Sequence, residues 1–284
     1  MSADVRSPLP TRDLEARVRD CVRAVHARTS LVPKVGLTLG SGLGSVIDAL
    51  EDAVIFPTHE LPHWPRSTVA GHAGRFALGH WHGVPIAALS GRTHRYEGHP
   101  IDRVTFGLRV MRELGARTLI FTNAVGAMNP EYRPGDVMLA KDHINAIGKR
   151  GLFTPGELAE RRMGRRVAHY YTPHLAEALA AAAARVGVPL HRGTLMGELG
   201  PTYETAAEIR MMTALGADVG GMSTAHEVTV AAQLGCEAAA ISCITNRATG
   251  LADGPLTHVE VTEVAARVAS KLRAILGEFL KAGA

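Results

Sequence analysis

The residues best equipped for chemistry in this 284-residue chain fall in two short glycine-bounded stretches. In Gly40-Ser-Gly-Leu-Gly44 the backbone is free to turn its N–H groups toward an anion, and the Ser41 hydroxyl adds a donor. It is not the Gly-x-Gly-x-x-Gly dinucleotide fingerprint, because Ser45 and Val46 follow Gly44, and it lacks the Lys-Ser/Thr ending of a triphosphate loop. Alone, such a loop reads as a tight turn. Gly91-Arg-Thr-His-Arg-Tyr-Glu-Gly98 is denser in donors. Arg92 offers a planar fork that matches two phosphate oxygens, and His94 shares its face of an extended segment, since alternate side chains point the same way. The pair suits phosphate; a loop of solvated charges is the alternative these residues leave open.

Other chemistries find less support. Half of the 14 histidines lie between His59 and His99, yet Pro62 opposes a helix that would align His59 with His63. No His-Glu-x-x-His or paired cysteines complete a set, so no metal is expected. A serine hydrolase would need a Gly-x-Ser-x-Gly elbow, which is missing. Cys21, Cys236 and Cys243 are scattered and read as reduced and buried. The composition, 46% hydrophobic and 20% charged, excludes disorder. A formal charge of +4 is too small to demand nucleic acid, and the one dense basic cluster, Arg161, Arg162, Arg165 and Arg166, lacks aromatic neighbours for stacking. No apolar run is long enough to span a bilayer. The first ten residues lack the apolar core of a secretory signal, so a cytoplasmic location is expected.

Positioning these groups falls to an alternating set of elements. A helix over 13–28 carries Leu14, Val18, Val22 and Val25 at helical spacing. A strand over 35–39 empties into the first glycine loop, and a hairpin over 75–81 and 84–90 turns at His82-Gly83. A helix follows over 100–114, then strands over 118–122 and 137–144. Helices over 173–186, 206–215 and 227–234 alternate with strands over 192–199, 218–222 and 238–245, and a closing helix starts at His258. Alternation of this kind means α/β with a mostly parallel sheet. Ligands gather where such strands end. Here the ends are small or polar: 40–44, 91–94, 123–126, 200–204, 221–224 and 245–246. One shared pocket explains them economically.

With those residues in view, the chain from Val35 to its final helix resembles the trimeric class of purine nucleoside phosphorylases. The likeness is carried by the two stretches above, by Ser67-Thr-Val-Ala-Gly-His-Ala-Gly-Arg75 between them, and then by Val104-Thr-Phe106, Thr122-Asn-Ala-Val-Gly126, Pro134-Gly-Asp136, Asp142-His-Ile-Asn145, Gly200-Pro-Thr-Tyr-Glu-Thr205, Gly221-Met-Ser-Thr224 and Ile244-Thr-Asn246. The resemblance implies one domain over 1–284, a mixed β-sheet flanked by helices on both faces, with 1–30 as a helical extension packed on it. It implies phosphate at Ser41, Arg92, His94, the backbone of Ala124 and Ser223. Ribose would lie against His72, Tyr96, Met222 and His258, the last near the 5′-hydroxyl, and the purine against Tyr203, Glu204, Gly220 and Asn246. Asn246, Glu204 and His94 would carry catalysis. No cofactor is implied beyond inorganic phosphate as co-substrate, and the assembly implied is a homotrimer.

The chemistry suits that cast. Phosphate is already an anionic nucleophile near neutral pH, so it needs positioning rather than a base or metal. As the glycosidic bond stretches, the purine gains negative charge, which the Asn246 amide can meet. Glu204, as an acceptor, wants the N1–H of hypoxanthine or guanine, whereas adenine would face it with a lone pair. Purine salvage from inosine and guanosine, ribo or deoxyribo, is the activity expected. A methylthioinosine or methylthioadenosine phosphorylase is the alternative, although relatives of the latter kind carry acidic residues near the Asn246 position. A dehydrogenase lacks its acidic ribose-binding residue, and a binding module without catalysis would not need Glu204, Asn246, Arg92 and His94 together.

Two departures from the family pattern stand out. Segment 146–172 does not match, and Met163 is nearest to a Phe that in relatives crosses the trimer interface onto a ribose. Gly220 replaces a Val found in some relatives, and is expected to enlarge the base side.

Overall fold

A computed structural model describes residues 11–69, 74–148, 169–251 and 258–283. Nine strands form its centre: β1 (Val35–Leu39), β2 (Glu51–Pro57), β3 (Arg75–Trp81), β4 (Val84–Ser90), β5 (Thr118–Ala127), β6 (Val137–Asn145), β7 (Leu190–Gly197), β8 (Val219–Gly221) and β9 (Glu237–Arg247). The helices are α1 (Thr11–His26), α2 (Ile101–Val104), α3 (Phe106–Leu114), α4 (Pro173–Arg185), α5 (Ala206–Ala214), α6 (Ala225–Gln233) and α7 (His258–Lys281).

The sheet runs β2-β3-β4-β1-β5-β8-β7-β6-β9, and β9 pairs back onto β5, so the last five strands of that order close on themselves. Five of the nine ladders are parallel and four antiparallel. The sheet is therefore mixed, and alternation alone overstated its parallel share. Alternation counts crossovers, but β5 to β8 and β6 to β9 pair antiparallel without being chain neighbours, which no local pattern reveals.

Both faces are covered. Along β9, Ala238, Ala240 and Ile244 join a core with Val18 of α1, Val110 of α3 and Val228 of α6. Ala239, Ile241 and Cys243 join another with Leu179 of α4 and Leu272 of α7. Alternate side chains of one strand thus feed opposite cores, as a sheet between helical layers requires. Helix α1 inserts Leu14, Val18, Cys21 and Val25 into the first core, so the amphipathic stripe read from sequence does pack. Cys21, Cys236 and Cys243 are buried.

Several boundaries move. The hairpin β3–β4 falls where expected, with His82 and Gly83 at φ 51° and 78° in its two-residue turn. The helix expected over 100–114 breaks at Thr105, whose hydroxyl donates 2.8 Å back to the Ile101 carbonyl, a bond that bends helices. Strand β2 was not anticipated; it is an exposed edge strand with Phe56 as its buried anchor, and its register shifts between Glu51 and Val54. β5 and β9 outrun their expected ends, so 123–126 belongs to a strand rather than a loop. Among the described residues no helix is long and apolar enough to cross a membrane.

Candidate active site

Strands β1, β4, β5 and β9 run parallel, so their carboxyl ends share one side of the sheet. Close approach there demands small residues. A Cβ on Gly40 would stand 2.9 Å from the Asn123 Cα and from the Thr122 carbonyl, so only glycine lets the β1 loop lie against β5. A cavity opens at this junction, lined by residues from the ends of these strands and the loops that follow them.

Arg92 leaves the end of β4 almost fully buried, at 5% exposure. Its Nη1 donates to Ser223 Oγ at 2.6 Å and Thr224 Oγ1 at 3.3 Å, its Nη2 to the Thr122 carbonyl at 2.7 Å, and Glu227 Oε2 lies 3.5 Å away. The guanidinium is thus fixed before any ligand arrives. Ser223 and Thr224 precede α6, and Thr224 holds φ 70°, ψ −52°, a backbone state unusual for a β-branched residue. That strained turn brings Ser223 and the amino end of α6 to the cavity, a combination that favours an anion. His226, one residue into α6, is pushed down to about 3 by burial and by the positive charges of Arg92, His94, Arg95 and His143, so it stays neutral and leaves the positive field to its neighbours.

His94 is steered by Glu97. The Glu97 carboxylate accepts from the His94 amide at 2.5 Å, lies 3.3 Å from its Nδ1, and also takes the amide and hydroxyl of Thr68 at 2.5 and 2.9 Å. Burial opposes its charge, but these donors win and hold it down at about 2. One carboxylate therefore ties the His94 turn to the segment at Ser67–Val69. The Tyr96 ring stacks on His94 at 4.9 Å and 10°, and burial lifts its hydroxyl to about 12, so Tyr96 is a neutral donor.

At the other end of the cavity, β9 carries a bulge. Val125 pairs with Ile244 and Gly126 with Asn246, which leaves Thr245 as one residue too many. Thr245 Oγ1 lies 2.8 Å from Asn246 Oδ1 and 3.1 Å from the Val125 carbonyl, while Asn246 Nδ2 donates to the Arg247 carbonyl at 3.0 Å. The amide oxygen is thereby occupied, and the second Nδ2 hydrogen remains for a ligand. Glu204 and Tyr203 arrive from the loop after β7; burial and the Glu204 charge both raise the Tyr203 hydroxyl.

Of the residues expected to meet substrate, Ser41, Arg92, His94, Tyr96, Ala124, Tyr203, Glu204, Gly220, Met222, Ser223 and Asn246 all line this single cavity. His72 and Met163 lie outside the described residues, as does the basic cluster at 161–166. His258 opens α7, its side chain outside the description, and Val261 one turn on lines the cavity. The expected enlargement at Gly220 is not found. A Cβ there would meet Glu198 Oε1 at 2.5 Å and the Met128 methyl at 2.7 Å, because those two side chains occupy the space. Sequence reasoning missed Asn123 as well. Its amide is 2% exposed, lines the cavity, and has neither polar atom paired among the described residues. An amide inside a strand otherwise made of apolar and threonine residues was the available signal. No group of three or more His, Cys, Asp or Glu that could hold a metal is present among the described residues.

The mixed α/β fold thus sets donors at one end of its cavity and an amide and a carboxylate at the other. A family model described as the phosphorylase superfamily matches residues 34–281. The chain is 43% identical over 236 residues to purine nucleoside phosphorylase 1 of Geobacillus stearothermophilus, covering 83% of this chain and 86% of that protein. It superposes with TM-score 0.88 and 29% identity on a Schistosoma mansoni purine nucleoside phosphorylase in complex with adenosine, over 97% of this chain and 98% of that one. A schistosome purine nucleoside phosphorylase in complex with hypoxanthine gives TM-score 0.88 and 30% identity over the same shares. The chain belongs to the phosphorylase superfamily, in its purine nucleoside phosphorylase family.

Proposed function

We propose that this protein catalyses the reversible phosphorolysis of 6-oxopurine nucleosides, inosine and guanosine in ribo or deoxyribo form, to the free base and pentose 1-phosphate, in the cytoplasm and as a homotrimer. The observation that carries the reading is that Arg92 and Tyr96 of the loop after β4, Glu204 of the loop after β7 and Asn246 at the end of β9 line one cavity.

Inorganic phosphate sits among Arg92, Ser41, Ser223, His94 and the Ala124 backbone. It attacks the anomeric carbon as an anion, so the protein's task is to hold it in line. Ribose lies over Met222 and Tyr96, with His72 and His258 beside it. As the C–N bond breaks, charge flows into the purine, and the remaining Asn246 hydrogen meets it at N7 while Glu204 accepts from N1–H. The two relatives' structures hold adenosine and hypoxanthine, so the preference for a 6-oxopurine rests on Glu204. A carboxylate facing the adenine lone pair is a mismatch between two acceptors, of the kind that discriminates by orders of magnitude. No cofactor takes part.

The decisive experiment is phosphate-dependent release of hypoxanthine from inosine. Asn246→Ala is expected to lower kcat by about 100-fold or more. Efficient turnover of adenosine with little of inosine overturns the assignment of the base side.

A further inference from the structure

The Glu198 carboxyl is the least explained polar group near the cavity. It follows β7, its amide donates 2.9 Å to the Gly221 carbonyl, and only 6% of it is exposed. Its Oε1 fills the space beside Gly220, next to the Met128 methyl, and both of those residues line the cavity wall. No N–H or O–H donor among the described residues reaches either oxygen. What does lie within hydrogen-bonding reach is another carboxyl, that of Glu204.

Two carboxylates in contact inside a protein cannot both be ionised, so the contact needs a shared proton. Its location follows from surroundings. Glu204 is half-buried on the open cavity, whereas Glu198 is walled in by a methyl group and a glycine. The other charged neighbour acting on Glu198 is Glu208, whose charge is kept by the Thr205 amide and hydroxyl at 2.7 and 2.9 Å. Burial first, then these two acidic neighbours, raises the Glu198 carboxyl well above the usual carboxylate range.

We infer that Glu198 is a neutral carboxylic acid whose O–H donates to the Glu204 carboxylate, making it a positioning residue that keeps Glu204 an acceptor for the purine N1–H. The inference rests on the reading of Glu204 as the base acceptor. It also adds a reason for discrimination. To bind a base with an N1 lone pair, Glu204 would have to take the proton, and Glu198 would become a buried anion with no donor. Gly220 is the companion change: any Cβ there would collide with the carboxyl.

The test compares Glu198→Gln, which keeps a donor at nearly the same volume, with Glu198→Leu, which fills the space and removes it. Glu198→Gln is expected to leave the inosine KM within about threefold, and Glu198→Leu to raise it by about tenfold or more with a smaller change in kcat, at an unchanged phosphate KM. Infrared difference spectra of the ligand-free protein between neutral and strongly alkaline pH should show a carbonyl stretch of a neutral acid that is lost on alkalinisation and missing in Glu198→Gln. Equal kinetics for the two variants, or no such band, overturns the proposal. The infrared arm needs no turnover, so a protein inactive on inosine would defeat the functional reading while the band alone decides the carboxyl pair.

Discussion

The two ends of the cavity are built on different plans. At the proposed phosphate end Arg92, His94 and Ser223 are buried and held by other protein groups: Arg92 by Ser223, Thr224, Thr122 and Glu227, and His94 by Glu97. At the proposed base end Tyr203 is 40% exposed, and the Glu204 carboxyl interacts with another acid, Glu198. In the proposed reaction the small, invariant anion would be met by a rigid set of donors that costs no reorganisation, while the base would be read by a few groups whose protonation and orientation are set from behind. Rigidity at one end and tuning at the other divide affinity from selectivity.

Breaking the rigid end should have the largest effect. Arg92→Ala removes the guanidinium and leaves Glu227 as an uncompensated buried carboxylate, so kcat/KM for phosphate is expected to fall by about a thousandfold, with a lower Tm; Arg92→Lys should rescue little, since a point charge cannot serve three acceptors in one plane. Phosphate titrations of the three proteins check this. Acid should act on the same end. Glu97 is depressed from 4.5 to about 2, so its stabilising contribution is whole above 4.5 and is lost as pH falls toward 2. Phosphate affinity and Tm are expected to drop together through that window, and Glu97→Gln should flatten the dependence. If both stay level down to pH 2, the His94–Glu97–Thr68 link does not hold the site.

Sharper probes address the base end. Gly220→Ala should displace Glu198 and Met128, raising the inosine KM by about tenfold while the phosphate KM holds, as steady-state kinetics with each substrate varied would report. A rise in both constants would mean the two ends are not independent. Smallest is Thr245→Val, which removes the hydroxyl that occupies Asn246 Oδ1 and should lower kcat for inosine by about three- to tenfold without altering phosphate binding.

The same contrast governs what the sequence reveals. Ser41, Arg92 and His94 lie in two glycine-bounded stretches whose neighbours announce strand ends, so they stand out as donors in the sequence itself, whereas Ser223 entered through the family resemblance. The β3–β4 hairpin was equally plain, its turn residues matching the positive φ angles that such a turn needs. Glu198 was invisible because it looks like any charged residue at the end of a strand; its meaning depends on Gly220, 22 positions away, and on a parallel ladder between β7 and β8. The closure of β9 onto β5 and the lengths of both strands are likewise consequences of pairing between distant segments, which periodicity within either segment does not encode. Edge strand β2 escaped notice because only Phe56 is buried on it.

The surplus residue in β9 has a practical corollary for anyone grafting new selectivity onto this scaffold. In a regular strand neighbouring side chains diverge, yet Thr245 and Asn246 both reach the cavity. A donor segment transplanted here must therefore match in count as well as in composition. Shorten the strand by one and the ladder closes up, so that the pocket inherits one side chain of the pair and its companion is swung away into the scaffold.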